Sequence, residues 1–207
     1  MNKKMLLLGS TSQSRQMLLK EALIPFQVIG HGADEDAVER SLPFKELLQA
    51  IARLKMEHVV LPNCYEEGEV VYVLTADSMG KDAQGIIHGK PKNEIDARAK
   101  IKALAQQSMT ATAFCLDKKI MRNNKWTIEK RIERYVEATY EFIVPDAWVD
   151  RYLKHSWAMI ASGAIAVELY GNQFLKSING SYSTIVGLPM VEFREALEEI
   201  GFFEESE

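Results

Sequence analysis

Few residues in this chain are suited to form a disulfide or to bind a soft metal. It has only two cysteines in 207 residues, Cys64 and Cys115. They lie far apart and show no metal-ligand spacing, so we expect buried free thiols and neither a disulfide nor a zinc site. The four histidines are scattered at positions 31, 58, 88 and 155, and no pair has the spacing of two ligands on one helix face. The sequence therefore predicts no histidine metal site.

The chain also lacks basic runs and long apolar segments. Its formal net charge is -4, and no stripe of basic and aromatic residues is present, which argues against duplex nucleic acid or an anionic membrane surface as a partner. The apolar run Val70 to Leu74 is far too short to span a bilayer. Four apolar residues after Met1-Asn-Lys-Lys are too few for a signal peptide. We expect a cytoplasmic protein, and a small charged ligand stays possible.

The first half of the chain reads as a β-α-β opening followed by a long helix and a strand. With 47% apolar residues, the chain can bury a sizeable core in one large domain or two closely joined lobes. The periodicity predicts strands at Met5 to Leu8 and Phe26 to Ile29 around a helix from Ser14 to Ala22. A helix then spans Pro43 to Val60. The strand Val70 to Leu74 places Asp77 just past its end, where open α/β sheets place their chemistry.

The second half favours antiparallel strands. A polar hairpin from Gly80 to Gly89 leads into a loop that carries Lys90, and Asn93 caps a helix that runs to Ala105. Thr127 to Val144 alternates between apolar and polar residues, which predicts one long half-exposed strand or two strands joined by a bend. Helices at 146–154 and 189–200 surround a stretch punctuated by glycines. The pattern as a whole predicts a mixed α/β protein.

The turn after the first strand is the most informative local feature. Gly9 breaks the apolar run, and Ser10, Ser12 and Ser14 with Arg15 surround the start of a helix. Unpaired N–H groups and the helix dipole favour an anion at such a position. The alternative interpretation is that Ser12 or Ser14 only caps the helix.

Six short motifs, in order along nearly the whole chain, resemble those of the Maf family of nucleoside triphosphate pyrophosphatases. They are Gly9-Ser-Thr-Ser-Gln-Ser-Arg15, Ala33-Asp-Glu35, Ala52-Arg-Leu-Lys55, Ala76-Asp-Ser78, Gly89-Lys-Pro-Lys92 and Val186-Gly-Leu-Pro189. The resemblance implies an α/β fold with a mixed central sheet flanked by helices and a cleft between two lobes, as in inosine triphosphate pyrophosphatases. Residues 1–207 would then form a single Maf-like domain with two lobes, commonly assembled as a homodimer.

The resemblance also implies roles for individual residues. It places the catalytic carboxylate at Asp77 and a divalent cation, Mg²⁺ or Mn²⁺, on Glu35 and Asp77. The remaining candidates are cations and substrate-binding residues. The catalytic cations are Arg15, Lys55 and Lys90, and the substrate-binding residues are Ser10, Ser12, Ser14, Ser78 and Glu168. The implied reaction is hydrolysis between the α and β phosphates of a nucleoside triphosphate, which gives a monophosphate and pyrophosphate.

The chain departs from the family pattern mainly in the residues that select the base. Ser14 stands where the motif has its first arginine, Ser78 follows the catalytic aspartate, and Glu168 stands where a glutamine is usual. An ionised carboxylate only accepts hydrogen bonds and therefore suits the donor edge of guanine. This points to the 7-methyl-GTP pyrophosphatase branch. The usual Thr-Gly motif is eroded within Ser108 to Cys115, so a nucleotide-binding regulator with weakened turnover, for example of cell division, is the alternative.

Overall fold

The computed structural model describes residues 4–61 and 65–204, and the predictions for Cys64 and for the first three residues lie outside these ranges. The strands are β1 (Leu6–Leu8), β2 (Phe26–Val28), β3 (Val70–Lys81), β4 (Ile87–His88), β5 (Ser108–Arg122), β6 (Lys125–Phe142) and β7 (Leu175–Asn179). The helices are α1 (Gln13–Glu21), α2 (Phe44–Glu57), α3 (Glu94–Ala103), α4 (Val149–His155), α5 (Tyr182–Val186) and α6 (Met190–Glu199).

The strands form one mixed sheet of seven strands. Six of them follow the order β2-β1-β3-β5-β6-β7, and β4 pairs with β3. β1 is parallel to β2 and to β3, with Leu7 opposite Gln27 and Val73. β4 is antiparallel to β3, and β7 is antiparallel to β6. The predicted fold class, a mixed central sheet flanked by helices, is confirmed, whereas the cleft between two lobes stays a prediction.

The chain divides into two compact units. The first unit contains Met1–Asp77, Ala113–Tyr135 and Met190–Glu207, and the second contains Ser78–Thr112 and Val136–Pro189. The prediction of one domain with two lobes is neither confirmed nor contradicted by this division. The two units divide the candidate site residues between them.

In the first unit, helix α2 packs against the sheet through one apolar side. Its second half is also hydrogen-bonded to two strands. Leu48 and Ile51 are fully buried. The Thr75 hydroxyl on β3 donates to the Ala52 carbonyl at 2.7 Å. On the other side of the helix, Arg53 donates two hydrogen bonds to the Glu133 carboxylate of β6. We call these contacts the α2 clamp.

A buried ion network connects β5 to β6 in the same unit. The Asp117 carboxylate is completely buried and accepts two hydrogen bonds from the Arg131 guanidinium, at 2.7 and 2.8 Å. Lys119 lies 3.5 Å from the same carboxylate. Cys115 is a buried free thiol, as predicted. Burial raises the pKa of the Cys115 thiol, and the negative charge of Asp117 raises it further.

The second unit is held together by an aromatic cluster. Phe142 and Phe174 contact the Tyr152 ring, with centroids 5.5 and 5.6 Å away. The Tyr152 hydroxyl donates to the Ala164 carbonyl at 2.9 Å and accepts from the Ala166 amide at 2.7 Å. These contacts fix the irregular chain on either side of residue 165, which the glycine pattern left without a predicted structure.

Three expectations from the sequence are corrected by the structure. Asp77 lies inside β3 and not beyond it, because the strand continues after its parallel pairing with β1 to pair with β4. Residues 125–142 form one strand, but Ile128 on the predicted apolar side is half exposed. Strand β5 is absent from the predicted elements. Among the residues described, no helix has both the length and the apolar character needed to cross a bilayer.

Candidate active site

The turn after β1 brings Ser10 to the side chain of Arg15. Gly9 is required here by close packing, since a Cβ atom at this position would lie 2.8 Å from the Thr75 Cγ2 atom. The Ser10 hydroxyl accepts from the Arg15 Nη1 at 3.0 Å and from the Ser12 amide at 3.3 Å. Because both contacts use lone pairs of Ser10, its proton can still be donated to an acceptor such as a phosphate oxygen.

Both interpretations of the serine-rich turn are correct in part. Ser12 is the N-cap of α1, and its hydroxyl accepts from the Arg15 amide at 3.4 Å. Ser14 is half-buried in the first turn of the same helix. Arg15 is 7% exposed. Its burial lowers its pKa, while the negative charges of Asp77 and Glu35 act in the opposite direction. The cap therefore also places a buried cation beside two carboxylates.

Lys55 joins those two carboxylates. Its Nζ donates to the Asp77 Oδ1 at 2.8 Å and lies 3.1 Å from the Glu35 Oε1. Lys55 is 6% exposed and lies on the buried side of α2, although a lysine on a helix is usually solvated. Glu35 is more exposed than Asp77, and it opens a short 3-10 turn that Asp34 caps.

The second carboxylate oxygen of Asp77, Oδ2, is buried without a hydrogen-bond partner among the residues described, although the Oδ1 is bound to Lys55. A buried carboxylate oxygen without a donor is costly for a folded protein. Such an atom is therefore expected to acquire a ligand, either a proton donor such as water or a cation.

His31 is a neighbour of this group that the sequence analysis did not single out. Its Nδ1 is buried and has no hydrogen-bond partner among the residues described. Burial and the positive charge of Lys55 lower the pKa of His31, and Glu35 opposes them. In the sequence, His31 is marked only by its position four residues before Glu35, one of the predicted metal ligands.

In the second unit, Ser78 belongs to a chain of hydroxyl groups. The Thr112 hydroxyl donates to the Thr184 carbonyl at 2.9 Å and lies 2.7 Å from the Ser78 hydroxyl. Because the single proton of Thr112 is bound to a carbonyl, Ser78 is the donor in their mutual hydrogen bond. Thr112 lies in the segment where the family motif is eroded, and it still connects Ser78 to the glycine-rich C-terminal motif.

The loop that carries Lys90 is held by hydrogen bonds to its backbone. The Ser162 hydroxyl donates to the His88 carbonyl at 2.9 Å, and the Gly163 amide donates to the Gly89 carbonyl at 3.0 Å. Lys100 donates to the carbonyl of Lys90 itself. Lys90 is exposed, as expected for a loop residue. Its backbone is fixed while its side chain faces solvent.

Glu168 is buried at the start of a 3-10 turn. It is 4% exposed, and its carbonyl accepts from the Gly171 amide at 2.9 Å. Gly171 is required because a Cβ there would lie 1.7 Å from the Ala166 carbonyl oxygen. Burial raises the pKa of Tyr152, and the negative charge of Glu168 adds to this effect. Glu168 therefore lies within electrostatic reach of the aromatic cluster.

The structure thus places seven of the ten predicted site residues within the first unit. The residues that it brings together there are Ser10, Ser12, Arg15, Glu35, Lys55 and Asp77, with Ser14 on the same helix turn. Ser78, Lys90 and Glu168 belong to the second unit, each with its own local contacts. Within the first unit, two cations and two carboxylates form a compact group that has no net charge.

A mixed sheet that carries two buried cations beside two carboxylates within one unit defines an α/β protein with a highly charged candidate site. The family can be named from comparison with known proteins. Residues 5–200 match the model of the family described as Maf-like protein. The chain belongs to this family, which confirms the resemblance found in the sequence.

Relatives of this chain are named as pyrophosphatases. The nucleoside triphosphate pyrophosphatase of Prochlorococcus marinus is 31% identical over 206 residues, which cover 95% of this chain and 98% of that protein. The dTTP/UTP pyrophosphatase of Fusobacterium nucleatum is 31% identical over 197 residues, covering 95% and 96%. The dTTP/UTP pyrophosphatase of a Shewanella species is 30% identical over 207 residues, covering 95% and 98%.

Proposed function

We propose that this chain hydrolyses the bond between the α and β phosphates of a nucleoside triphosphate. The observation that carries the proposal is Asp77, a buried carboxylate with one oxygen on Lys55 and the other without a donor among the residues described. The enzyme class itself, a nucleotide pyrophosphatase, is confirmed by family membership together with the names of the relatives.

Asp77 is suited to act on the attacking water. The Asp77 Oδ2 has no hydrogen-bond donor among the residues described, so it can accept a proton from a water molecule. The water oxygen then forms a bond to the α phosphorus, and the bond from that phosphorus to the bridging oxygen breaks. Pyrophosphate leaves with the electron pair, and the proton of the water passes to Asp77.

Arg15 and Ser10 are suited to the phosphate oxygens. The negative charge of a triphosphate repels an attacking water, and more charge develops on the leaving pyrophosphate during the reaction. Buried donors that are already oriented stabilise this charge effectively. Arg15 supplies a buried guanidinium, and Ser10 supplies a hydroxyl proton. We assign Lys90, Ser12 and Ser14 to the same task on the basis of the family motif.

The residues of the first unit also fit a divalent cation. Mg²⁺ and Mn²⁺ prefer oxygen ligands, and Mg²⁺ sites in proteins use one or two carboxylates together with substrate phosphates. The carboxylates of Glu35 and Asp77 would provide that pair. Among residues 4–61 and 65–204, no group of three or more acidic, histidine or cysteine side chains is arranged for a metal. A bound cation would offset phosphate charge.

The base preference differs from the expectation. A guanine-type substrate such as 7-methyl-GTP is not supported, because the relatives whose names include a base act on dTTP and UTP. We propose dTTP and UTP as the substrates to test first. Glu168 would then accept a hydrogen bond from the N3–H of thymine or uracil, and Ser78 would contribute a second contact. The regulatory alternative is not favoured by the names of these relatives.

Replacing Glu168 by glutamine tests this assignment. A glutamine both donates and accepts, so it can also bind a carbonyl oxygen of the pyrimidine ring. We expect E168Q to raise the ratio of kcat/KM for dTTP over GTP by roughly three- to tenfold, the range of one neutral hydrogen bond. E141Q, a glutamate on β6 of the same unit, is the matched control. An unchanged ranking of bases would remove Glu168 from the base site.

Replacing Lys90 by alanine tests its role in charge stabilisation. If the ammonium interacts with the developing charge, K90A raises the activation barrier by about 2 to 4 kcal/mol, or roughly 30- to 1000-fold in kcat/KM. The exposed Lys92, two residues further along, provides K92A as the control. A loss of tenfold or less in K90A, or an equal loss in K92A, would contradict the proposed role.

The deciding experiment measures pyrophosphate release from standard, deaminated and methylated nucleoside triphosphates with Mg²⁺ or Mn²⁺. Turnover that disappears in the Asp77→Asn variant supports the proposed reaction. Absence of turnover, with nucleotide binding still visible as a thermal shift, would favour the regulator. The homodimer and the cytoplasmic location stay predictions, and light scattering of the purified protein tests the first of them.

A further inference from the structure

We infer that the Lys55 ammonium, which lies between Glu35 and Asp77, competes with a divalent cation for these two carboxylates. Lys55 must therefore leave these carboxylates before a metal is held there. The inference rests on the proposed function in one respect, the assignment of Glu35 and Asp77 to a cation. It adds that the free protein binds metal weakly and that Lys55 causes this weakness.

The distances show that the position is already taken by a cation. The Lys55 Nζ lies 2.8 Å from the Asp77 Oδ1 and 3.1 Å from the Glu35 Oε1, so one ammonium bridges both carboxylates. Carboxylate oxygens approach Mg²⁺ at about 2.0 to 2.1 Å. An ammonium and a metal ion cannot both occupy the space between the same two oxygens.

The charges lead to the same conclusion. Arg15 and Lys55 balance Asp77 and Glu35, and Arg15 interacts electrostatically with both carboxylates. A divalent cation added to this neutral and mostly buried group would give it an excess of two positive charges, which burial makes costly. A triphosphate brings enough negative charge to remove the excess. The metal is therefore expected to bind together with the nucleotide.

The side chains differ in their freedom to rearrange. Lys55 and Asp77 have 8% and 11% of their side chains exposed, whereas Glu35 has 41% exposed and lies on a short turn. Asp77 is fixed within β3, and the α2 clamp holds the helix of Lys55. The exchange therefore requires only that the Lys55 stem rotates toward the phosphates and that Glu35 follows the metal.

Manganese binding to the full-length protein tests the inference without turnover. The free Mn²⁺ signal in electron paramagnetic resonance is titrated in the absence of nucleotide for wild type, K55Q and K55M. We expect either neutral variant to bind Mn²⁺ at least tenfold more tightly than wild type. K55R keeps the positive charge and should bind as weakly as wild type. K45Q removes an exposed lysine from the same helix and should leave binding unchanged.

Two outcomes would overturn the inference. One is tight Mn²⁺ binding by the wild-type protein alone, and the other is binding by K55Q and K55M within twofold of wild type. K55M keeps the apolar stem of the side chain, so it serves if K55Q fails to fold by circular dichroism. A wild-type protein that releases no pyrophosphate from any nucleotide would refute the proposed function and leave the manganese result to stand by itself.

Discussion

Replacing Asp77 by asparagine should reduce pyrophosphate release by roughly 100- to 10,000-fold, the contribution typical of a positioned general base. Asparagine has nearly the same shape and keeps an oxygen that can accept from Lys55, now at 2.8 Å. It lacks the basic oxygen that accepts a proton from water. The variant should therefore stay folded while losing turnover, which a coupled pyrophosphate assay and a thermal melt measure together.

The matched control for this variant is Asp36→Asn. Asp36 lies one residue from Glu35, but its side chain is 94% exposed and its partner is Arg40. Its replacement should leave kcat/KM within about twofold of wild type, since a surface ion pair contributes little. If Asp77→Asn retains more than a tenth of the wild-type activity, the catalytic base must be another residue.

Replacing Arg131 by glutamine should give the largest loss of stability among the ion pairs of the first unit. Asp117 is completely buried, and Arg131 provides both of its short hydrogen bonds from a nitrogen donor. Removing one partner of a buried pair leaves an uncompensated charge, at a cost of about 3 to 5 kcal/mol. Lys119 stays close to the carboxylate, so we expect the lower end of this range. Urea denaturation measures the free energy of unfolding.

A second substitution separates the charge from the packing of this network. In the double variant D117N/R131Q no buried charge is left unpaired by the loss of Arg131, so part of the lost stability should return. Arg134→Gln is the control, because its pair with Glu199 has both side chains more than 40% exposed. A loss of less than 1 kcal/mol in R131Q would show that the carboxylate is compensated by other groups.

Sequence patterns identified helices that have one apolar side and strands that begin with a continuous apolar run. Helix α2 repeats its apolar residues at helical spacing, and Asn93 does cap α3, with its side chain accepting from the Asp96 amide. The β-α-β opening follows from short apolar runs next to Gly9 and Pro25, and the strand that carries Asp77 follows from the apolar run Val70 to Leu74. The order of the family motifs then indicated which charged residues to examine.

Strand β5 was missed because both of its sides are buried but its sequence contains no continuous apolar run as long as that of β3. Its residues show no alternation, and it contains Asp117, Lys118 and Lys119, which look like a solvated segment when read alone. Asp117 and Lys118 find their partners, Arg131 and Glu129, across the hairpin on β6. The turn Asn123-Asn124 between the two strands has positive φ at both residues, and asparagine tolerates this conformation better than most residues do. Two adjacent asparagines were the available signal for a hairpin.

The state of the candidate site could not be read from residue types. Lys55 is a lysine on a helix, and only the packing of α2 against β3 shows that its ammonium is buried between two carboxylates. His31 enters the same group through a bridge between its own segment and Val59. Both facts depend on contacts between parts of the chain that are about 20 residues or more apart.

The α2 clamp has a consequence for natural variation in this protein. Arg53 and Glu133 form an ion pair that is partly open to solvent, and by itself such a pair would be freely exchangeable. It nevertheless ties α2 to β6 two residues before Lys55. A substitution at Arg53 or Glu133 is therefore expected to lower turnover through its effect on Lys55. Natural selection would then act on this pair although neither residue belongs to the candidate site.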